Sequence, residues 1–258
     1  MNHIPAAAAT ADGLRRYRLA DPLLFTLPIA GPRVQRDRRS RPVGARGSER
    51  VRRAANVLLA LIGLIVLAPL LLVIALLVKL SSPGPVFYAQ RRIGVDRRRR
   101  ARPVLNCLRS LDLGGRPFPL YKFRTMYVDA DGVGEVWASP DDPRVTPVGR
   151  ILRNYRLDEL PQLVNVLKGD MNIVGPRPEQ PSIFVRLSER IHRYADRQRV
   201  LPGITGWAQV NQHYDMSIAD VQRKVALDLE YVERRSAGED LRIMLRTVPV
   251  ILTRRGAW

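Results

Sequence analysis

Two adjacent acids, Asp158 and Glu159, stand in the run RLDELPQLVNVLKG, just ahead of a helical pattern. An ionised carboxylate can attack phosphorus, and a second beside it can hold a divalent cation that bridges phosphate oxygens. Pro161 belongs in the first turn of that helix, where a missing N–H costs nothing, so the pair lies at a helix N-terminus. Terminal amides and the macrodipole favour anions there, and both carboxylates are expected to stay ionised. Arg153 and Arg156, close in sequence, reinforce that expectation. The same position suits a capping residue, so spacing alone leaves Asp158 divided between capping and catalysis.

Candidate partners for a phosphate are basic. In LYKFRTM the alternation of aromatic or apolar with basic residues suits a half-buried strand over 119–128, with Lys122 and Arg124 on one face. Two cations side by side call for an anion between them, and phosphate fits; a solvated basic face is the other reading. Arg177 is locked between Pro176 and Pro178, a pre-ordered guanidinium suited to bidentate phosphate binding or simply part of a surface turn. His3, His192 and His213 are too scattered for a metal site or a triad. Cys107 is the only cysteine, which excludes an intrachain disulfide and fits a reducing compartment.

The elements that would position these groups are mostly helical. Apolar residues at i, i+3, i+4 and i+7 predict helices over 147–155 and 160–168, with Gly169 closing the second. Further helices are expected over 218–234 and 241–253, and 184–199 reads as a basic amphipathic helix able to lie in a membrane plane. Residues 201–210 form a Gly-rich turn without a phosphate-loop signature. The fold class expected is α+β, predominantly helical: a small membrane-associated domain with interfacial amphipathic helices.

The chain carries 43 basic against 24 acidic residues, a net charge of +19, which demands an acidic partner. The uncharged apolar run at 54–78 selects anionic membrane lipids over nucleic acid. Straight, it would measure roughly 37 Å, enough to span a bilayer. Both flanks are basic, however: Arg50, Arg52 and Arg53 before it, Lys79, Arg91, Arg92 and Arg97–Arg100 after it. A true span is expected to be asymmetric. Pro69 near its middle removes a backbone hydrogen bond and bends the helix. The favoured reading is a re-entrant helix over 54–79 that enters and leaves by one leaflet, with a single span as the alternative. Residues 1–53 are expected to be a disordered Arg-rich tail, and 80–258 a cytoplasmic catalytic domain.

YKFRTM (121–126), LDELPQLVNVLKGDMNIVGPRPE (157–179) and LPGITGWAQVN (201–211) together resemble the bacterial sugar transferase family, the monotopic polyprenyl-phosphate phosphoglycosyl transferases. The resemblance runs from about residue 50 to the C-terminus. It implies transfer of a sugar-1-phosphate from a nucleoside-diphosphate sugar, with uridine the family default, onto polyprenyl phosphate. Such a reaction begins exopolysaccharide, capsule, O-antigen or glycan assembly at the cytoplasmic face of the bacterial inner membrane. It further implies Asp158 as nucleophile of a phosphosugar–aspartyl intermediate, Glu159 as ligand of Mg²⁺, and Lys122, Arg124, Arg153 and Arg177 as phosphate binders. Asp228 matches another family position of less certain role.

Three departures accompany the resemblance. Ala68 replaces the usual Ser before the membrane proline, an Arg-rich insert lengthens 96–116, and Gln212 stands where Gly is usual. Residues 1–53 are too polar for the N-terminal membrane-helix bundle of larger relatives. A Mg²⁺-dependent membrane phosphatase or pyrophosphatase, and a non-catalytic basic membrane scaffold, are the competing functions. The sugar carried and the oligomeric state stay open, and a homo-oligomer is compatible with the sequence.

Overall fold

The computed structural model of the chain describes residues 46–96, 115–128, 142–212 and 217–253. The tail before residue 46, most of the Arg-rich insert, Cys107, His3 and His213 lie outside the described residues. In chain order the elements are α1 (Arg46–Ser81), β1 (Phe87–Ile93), β2 (Pro117–Phe123), α2 (Pro147–Asn154), a 3₁₀ turn (Leu157–Glu159) and α3 (Gln162–Lys168). Then come β3 (Asn172–Val174), α4 (Pro181–Arg190), a 3₁₀ segment (Tyr194–Arg199), β4 (Gly203–Thr205), α5 (Trp207–Asn211), α6 (Ile218–Arg234) and α7 (Ala237–Leu252). Helices dominate, as the periodicity predicts. β1 and β2 form an antiparallel ribbon in register from Phe87 opposite Phe123 to Ile93 opposite Pro117. β3 and β4 pair in parallel, Asn172 opposite Gly203 and Val174 opposite Thr205.

Local chemistry sets several element ends. Thr146 Oγ1 accepts from Gly149 N at 2.9 Å at the start of α2, and Pro147 fills the first helical position. Ser217 and Ser236 cap α6 and α7 by accepting from Asp220 N and Glu239 N. Gly169 closes α3 with φ of 84°, a left-handed conformation that glycine adopts without steric cost.

α1 begins ahead of the expected boundary at residue 54. Its first part belongs to the folded body, because Arg52 is buried and donates to Asp240 Oδ2 at 2.6 Å and to Tyr231 Oη at 3.0 Å. Arg53 donates to the carbonyls of Leu167 and Met171, and Asn56 Oδ1 accepts from Ile173 N at 2.6 Å. At the far end Ile74 and Val78 are buried against Phe123 and Leu152. Between Ala60 and Ile74 no residue is buried, and Pro69 sits in that uncovered stretch. Both ends of α1 are therefore fixed to one body while its middle stands free of it. The most apolar window of this helix has a mean hydropathy of 3.2 and is only 11% buried, long and apolar enough to cross a membrane. Left in water it would expose Leu59, Ile62, Ile65, Val66 and Leu72, which disfavours an aqueous setting.

The expected membrane-surface helix over 184–199 is not one helix. α4 ends at Arg190, Ile191 is extended, Arg193 turns left-handed with φ of 60°, and a 3₁₀ segment follows. Its apolar residues are core: Phe184, Leu187, Ile191, Tyr194 and Ala195 pack with Ile93, Val221 and Val225. Amphipathicity there reflects contact with β1 and α6. The exposed apolar stripe belongs to α7, where Leu241, Leu245, Val248 and Leu252 recur at helical spacing.

Candidate active site

The turn carrying the two carboxylates is set by its neighbours. A Cβ on Gly149 would lie 2.1 Å from the Thr125 carbonyl oxygen, so only glycine lets α2 start this close to the chain leaving β2. That approach brings Arg153 to Thr125, whose Oγ1 accepts from Nε at 2.9 Å. Arg156 then reverses the chain with φ of 55°, a left-handed conformation uncommon for a non-glycine residue. Leu157–Glu159 follows as a single 3₁₀ turn ahead of α3. Asp158 does not cap α3: the residue at that cap is Pro161, and no side-chain cap bond is made. Asn165, fully buried, donates Nδ2 to Pro119 O at 2.7 Å and accepts from Tyr121 N at 3.0 Å. It stitches α3 to β2 and so fixes Lys122 against the acidic turn.

Asp158 and Glu159 are both buried, at 7% exposure each, yet their surroundings differ. Glu159 Oε1 accepts from Lys122 Nζ at 2.8 Å and from Arg177 Nη2 at 2.6 Å, while Oε2 accepts from Arg177 Nη1 at 3.1 Å. Burial alone would raise its pKa, but the charges and hydrogen bonds of Arg177 and Lys122 outweigh it and hold this carboxyl well below the ordinary range. Asp158 Oδ2 has only Lys122 Nζ at 3.9 Å, and among the described residues no hydrogen bond reaches its carboxylate. Burial pushes it up; the charge of Lys122 opposes this, and the neighbouring Glu159 adds to the rise. The expectation that a helix terminus holds both acids ionised alike is corrected here: loss of water dominates at Asp158 and cations dominate at Glu159.

Of the expected phosphate binders, Lys122 and Arg177 converge on the pair, and Arg153 is near enough for its charge to act on Asp158. Arg124 does not. β2 ends at Phe123, so the face shared with Lys122 is lost, and Arg124 turns beneath the end of α1. There it donates to Pro83 O at 2.7 Å, Ser82 O at 2.7 Å and Ser82 Oγ at 2.9 Å. It closes the anchor helix onto the ribbon, and these carbonyls occupy the donors a phosphate would need.

Asp228 is also placed apart from the pair. It is 1% exposed and accepts from Arg197 Nε at 2.7 Å. Arg197 in turn donates to the Arg177 carbonyl at 3.1 Å and lies 3.8 Å from Glu179, which also faces Lys224 at 3.1 Å and Arg92 at 3.9 Å. Burial would raise Glu179, but Lys224, Arg197 and Arg92 hold it down at about 2. Arg92 Nη1 donates to the Pro178 carbonyl at 3.2 Å. The Pro-Arg-Pro-Glu turn is thus clamped at successive residues, and Asp228 acts on Arg177 through Arg197 rather than as a member of the acidic pair. Sequence reading missed Thr125, Asn165, Glu179 and Arg197 as positioning residues. Asn165 left a signal, a polar residue between apolar helix positions; Arg197 left none inside its basic run.

A magnesium ion commonly takes one or two carboxylates together with substrate phosphates. The adjacent pair fits such thin ligation provided Lys122 and Arg177 pass from Glu159 to those phosphates. Among the described residues no cluster of three or more His, Cys, Asp or Glu forms an all-protein site. The arrangement as a whole is a desolvated carboxylate without a hydrogen bond, flanked by cations with donors suited to phosphate oxygens. That combination suits in-line attack on a phosphoanhydride whose charge has been neutralised.

Comparison with known proteins agrees. The chain is 39% identical over 207 residues to a UDP-N-acetylgalactosamine-undecaprenyl-phosphate N-acetylgalactosaminephosphotransferase of Aeromonas hydrophila, covering 80% of this chain and 45% of that protein. It is 41% identical over 209 residues to a UDP-glucose:undecaprenyl-phosphate glucose-1-phosphate transferase of Caulobacter vibrioides, covering 80% of this chain and 72% of that one. An exopolysaccharide production protein of Sinorhizobium fredii is 36% identical over 233 residues, covering 84% of this chain and 91% of its own length. The chain thus spans under half of the Aeromonas relative and most of the other two. Residues 47–254 match the bacterial sugar transferase family, which takes in both ends of α1, the Asp158–Glu159 turn and the clamped Arg177, and the chain belongs to that family.

Proposed function

We propose that this protein transfers a sugar-1-phosphate from a nucleoside-diphosphate sugar, a UDP-sugar by analogy with its relatives, to polyprenyl phosphate. The observation that carries this reading is the asymmetry of the two acids: Glu159 held by Lys122 and Arg177, Asp158 buried with no hydrogen bond. Asp158 attacks the sugar-bearing phosphorus, a P–O bond forms, and the bond to the nucleoside monophosphate breaks with its electron pair on the departing phosphate. An oxygen of polyprenyl phosphate then attacks the same phosphorus, and the Asp158 carboxylate leaves regenerated. Lys122, Arg153 and Arg177 neutralise the phosphates that must approach a carboxylate. Magnesium, bound by Glu159 together with substrate phosphates, would supply further charge neutralisation.

The anchor follows the same logic. A helix crossing the bilayer cannot have both ends fixed to one body on one side, and α1 has both ends fixed so. The re-entrant topology places the acidic pair at the interface on the cytoplasmic face, where the acceptor phosphate resides. Tags on the two chain ends, probed from either side, should report the same compartment; opposite compartments would refute it.

Purified protein in membrane discs, given a panel of labelled nucleotide sugars, Mg²⁺ and undecaprenyl phosphate, tests the reaction. Nucleoside monophosphate release coupled to lipid labelling is expected. Free sugar phosphate without lipid product would mean a hydrolase, and absence of turnover across the panel would favour the scaffold reading.

A further inference from the structure

Beside the acidic turn lies a second feature, a cavity of about 230 Å³ to which Glu159 and Arg156 contribute. Its remaining wall is mostly hydrocarbon: Leu163 from α3, Ile173 from β3, Ile204 from β4, Val210 from α5, and Met244 and Ile251 from α7. The polar side chains in that wall are turned to protein. Thr247 Oγ1 donates to Ile243 O at 2.8 Å and shares a 2.7 Å hydrogen bond with Thr205 Oγ1. Gln209 Nε2 donates to Ile204 O at 3.0 Å, and its Oε1 is buried and so not offered to the cavity. A polar ligand would find few partners there, whereas a hydrocarbon would strand none. An apolar protein cavity of about 150 Å³ already suffices to take up benzene.

We infer that this cavity seats the first isoprene units of the polyprenyl phosphate acceptor, with its phosphate at the Arg156–Glu159 end. The inference rests on the transferase reading and adds where the lipid's hydrocarbon lies. Continuity on both sides supports it. One end of the cavity shares Glu159 with the acidic pair, so a chain seated in it holds its phosphate beside Asp158. Along α7 the cavity-facing Met244, Thr247 and Ile251 adjoin the exposed stripe Leu241, Leu245, Val248 and Leu252. The remainder of a long isoprenoid thus leaves along an apolar surface rather than into water. The left-handed Arg156 lies at the junction, placing its side chain between the hydrocarbon wall and the acidic turn. A fatty acyl chain of bulk lipid and a nucleobase are the occupants this assignment rejects.

The two half-reactions separate the possibilities. Exchange of labelled nucleoside monophosphate into the nucleotide sugar needs no lipid; transfer to undecaprenyl phosphate does. Met244→Trp on α7 and Val210→Phe on α5 fill the cavity from different walls. Each is expected to raise KM for undecaprenyl phosphate at least tenfold, about 1.4 kcal/mol, with nucleotide exchange within twofold of wild type. KM for a two-isoprene phosphate should move less, because a short chain can retreat from the blocked end. A diazirine-bearing isoprenyl phosphate should label peptides containing residues 204–210 and 244–251, and undecaprenyl phosphate should displace it where phosphatidylglycerol does not. Unchanged KM for the lipid in both variants overturns the assignment, as does equal displacement by phosphatidylglycerol. Loss of nucleotide exchange in both folded variants assigns the cavity to the donor and overturns it too. If wild-type protein catalyses neither exchange nor transfer, the transferase reading itself falls, a result distinct from the others.

Discussion

The molecule holds two buried charge clusters that share Arg177 and differ in one respect. In the cluster behind the Pro-Arg-Pro-Glu turn, Asp228 and Glu179 each have a cation at 3.1 Å or less, from Arg197 and Lys224. In the cluster at the 3₁₀ turn, Glu159 is satisfied in the same way, but Asp158 has its nearest cation at 3.9 Å. Closed pairing serves rigidity, because removing one partner strands a buried charge. The open acid serves reactivity, because a carboxylate lacking hydrogen bonds and water is a better nucleophile and a costlier one to bury. The closed cluster also serves the open one, since Arg197 holds the Arg177 backbone.

Neutralising one acid in each cluster should have opposite consequences. Asp158→Asn is expected to reduce transfer at least ~1,000-fold while stabilising the protein by about 1 kcal/mol, since it removes an under-compensated buried charge. Asp228→Asn is expected to destabilise by about 3 kcal/mol by leaving the Arg197 guanidinium underpaired, with activity per folded molecule falling only about tenfold. Thermal unfolding and initial rates on the same preparations would check both, and the comparison breaks if both substitutions destabilise.

pH separates the clusters next. Glu179 is held at about 2 against an ordinary 4.5, so its stabilising contribution, about 3 kcal/mol, is present above pH 4.5 and lost as pH falls towards 2. Asp158 is shifted the other way. Its folded pKa is raised, so ionisation there costs stability as pH rises through the window above the ordinary carboxylate value. The nucleophilic form is lost as pH falls through that raised pKa. The acid limb of the exchange rate should therefore lie above the pH at which an ordinary Asp titrates, and above the acid unfolding midpoint. A limb that coincides with unfolding would remove the distinction.

The smallest effect tests a correction. Arg124→Met should weaken closure of α1 by about 2 kcal/mol yet change KM for the nucleotide sugar less than twofold, because its donors face Pro83 and Ser82. A large rise in KM would return Arg124 to the phosphate site.

Much of this was legible in the residues. Periodicity placed α6 at its observed bounds, and the spacing of Leu157–Gly169 located the acidic turn ahead of a short helix. What failed did so where tertiary contacts override local pattern. Alternation over LYKFRTM put Lys122 and Arg124 on one face, but it cannot reveal that the strand stops between them. The amphipathic pattern over 184–199 was real, and its apolar face meets β1 and α6 rather than lipid. Opposite pKa shifts on adjacent acids depend on which cations reach which oxygen, and Arg177 arrives from a separate turn.

The central claim is that Asp158 is the nucleophile. The direct measurement is intact and peptide mass analysis of protein mixed with its nucleotide sugar and Mg²⁺, quenched without lipid. A sugar-phosphate adduct on the peptide containing Asp158 is predicted, discharged by undecaprenyl phosphate and absent from Asp158→Asn. Turnover without an adduct under single-turnover conditions, or an adduct that persists in Asp158→Asn, would contradict the account.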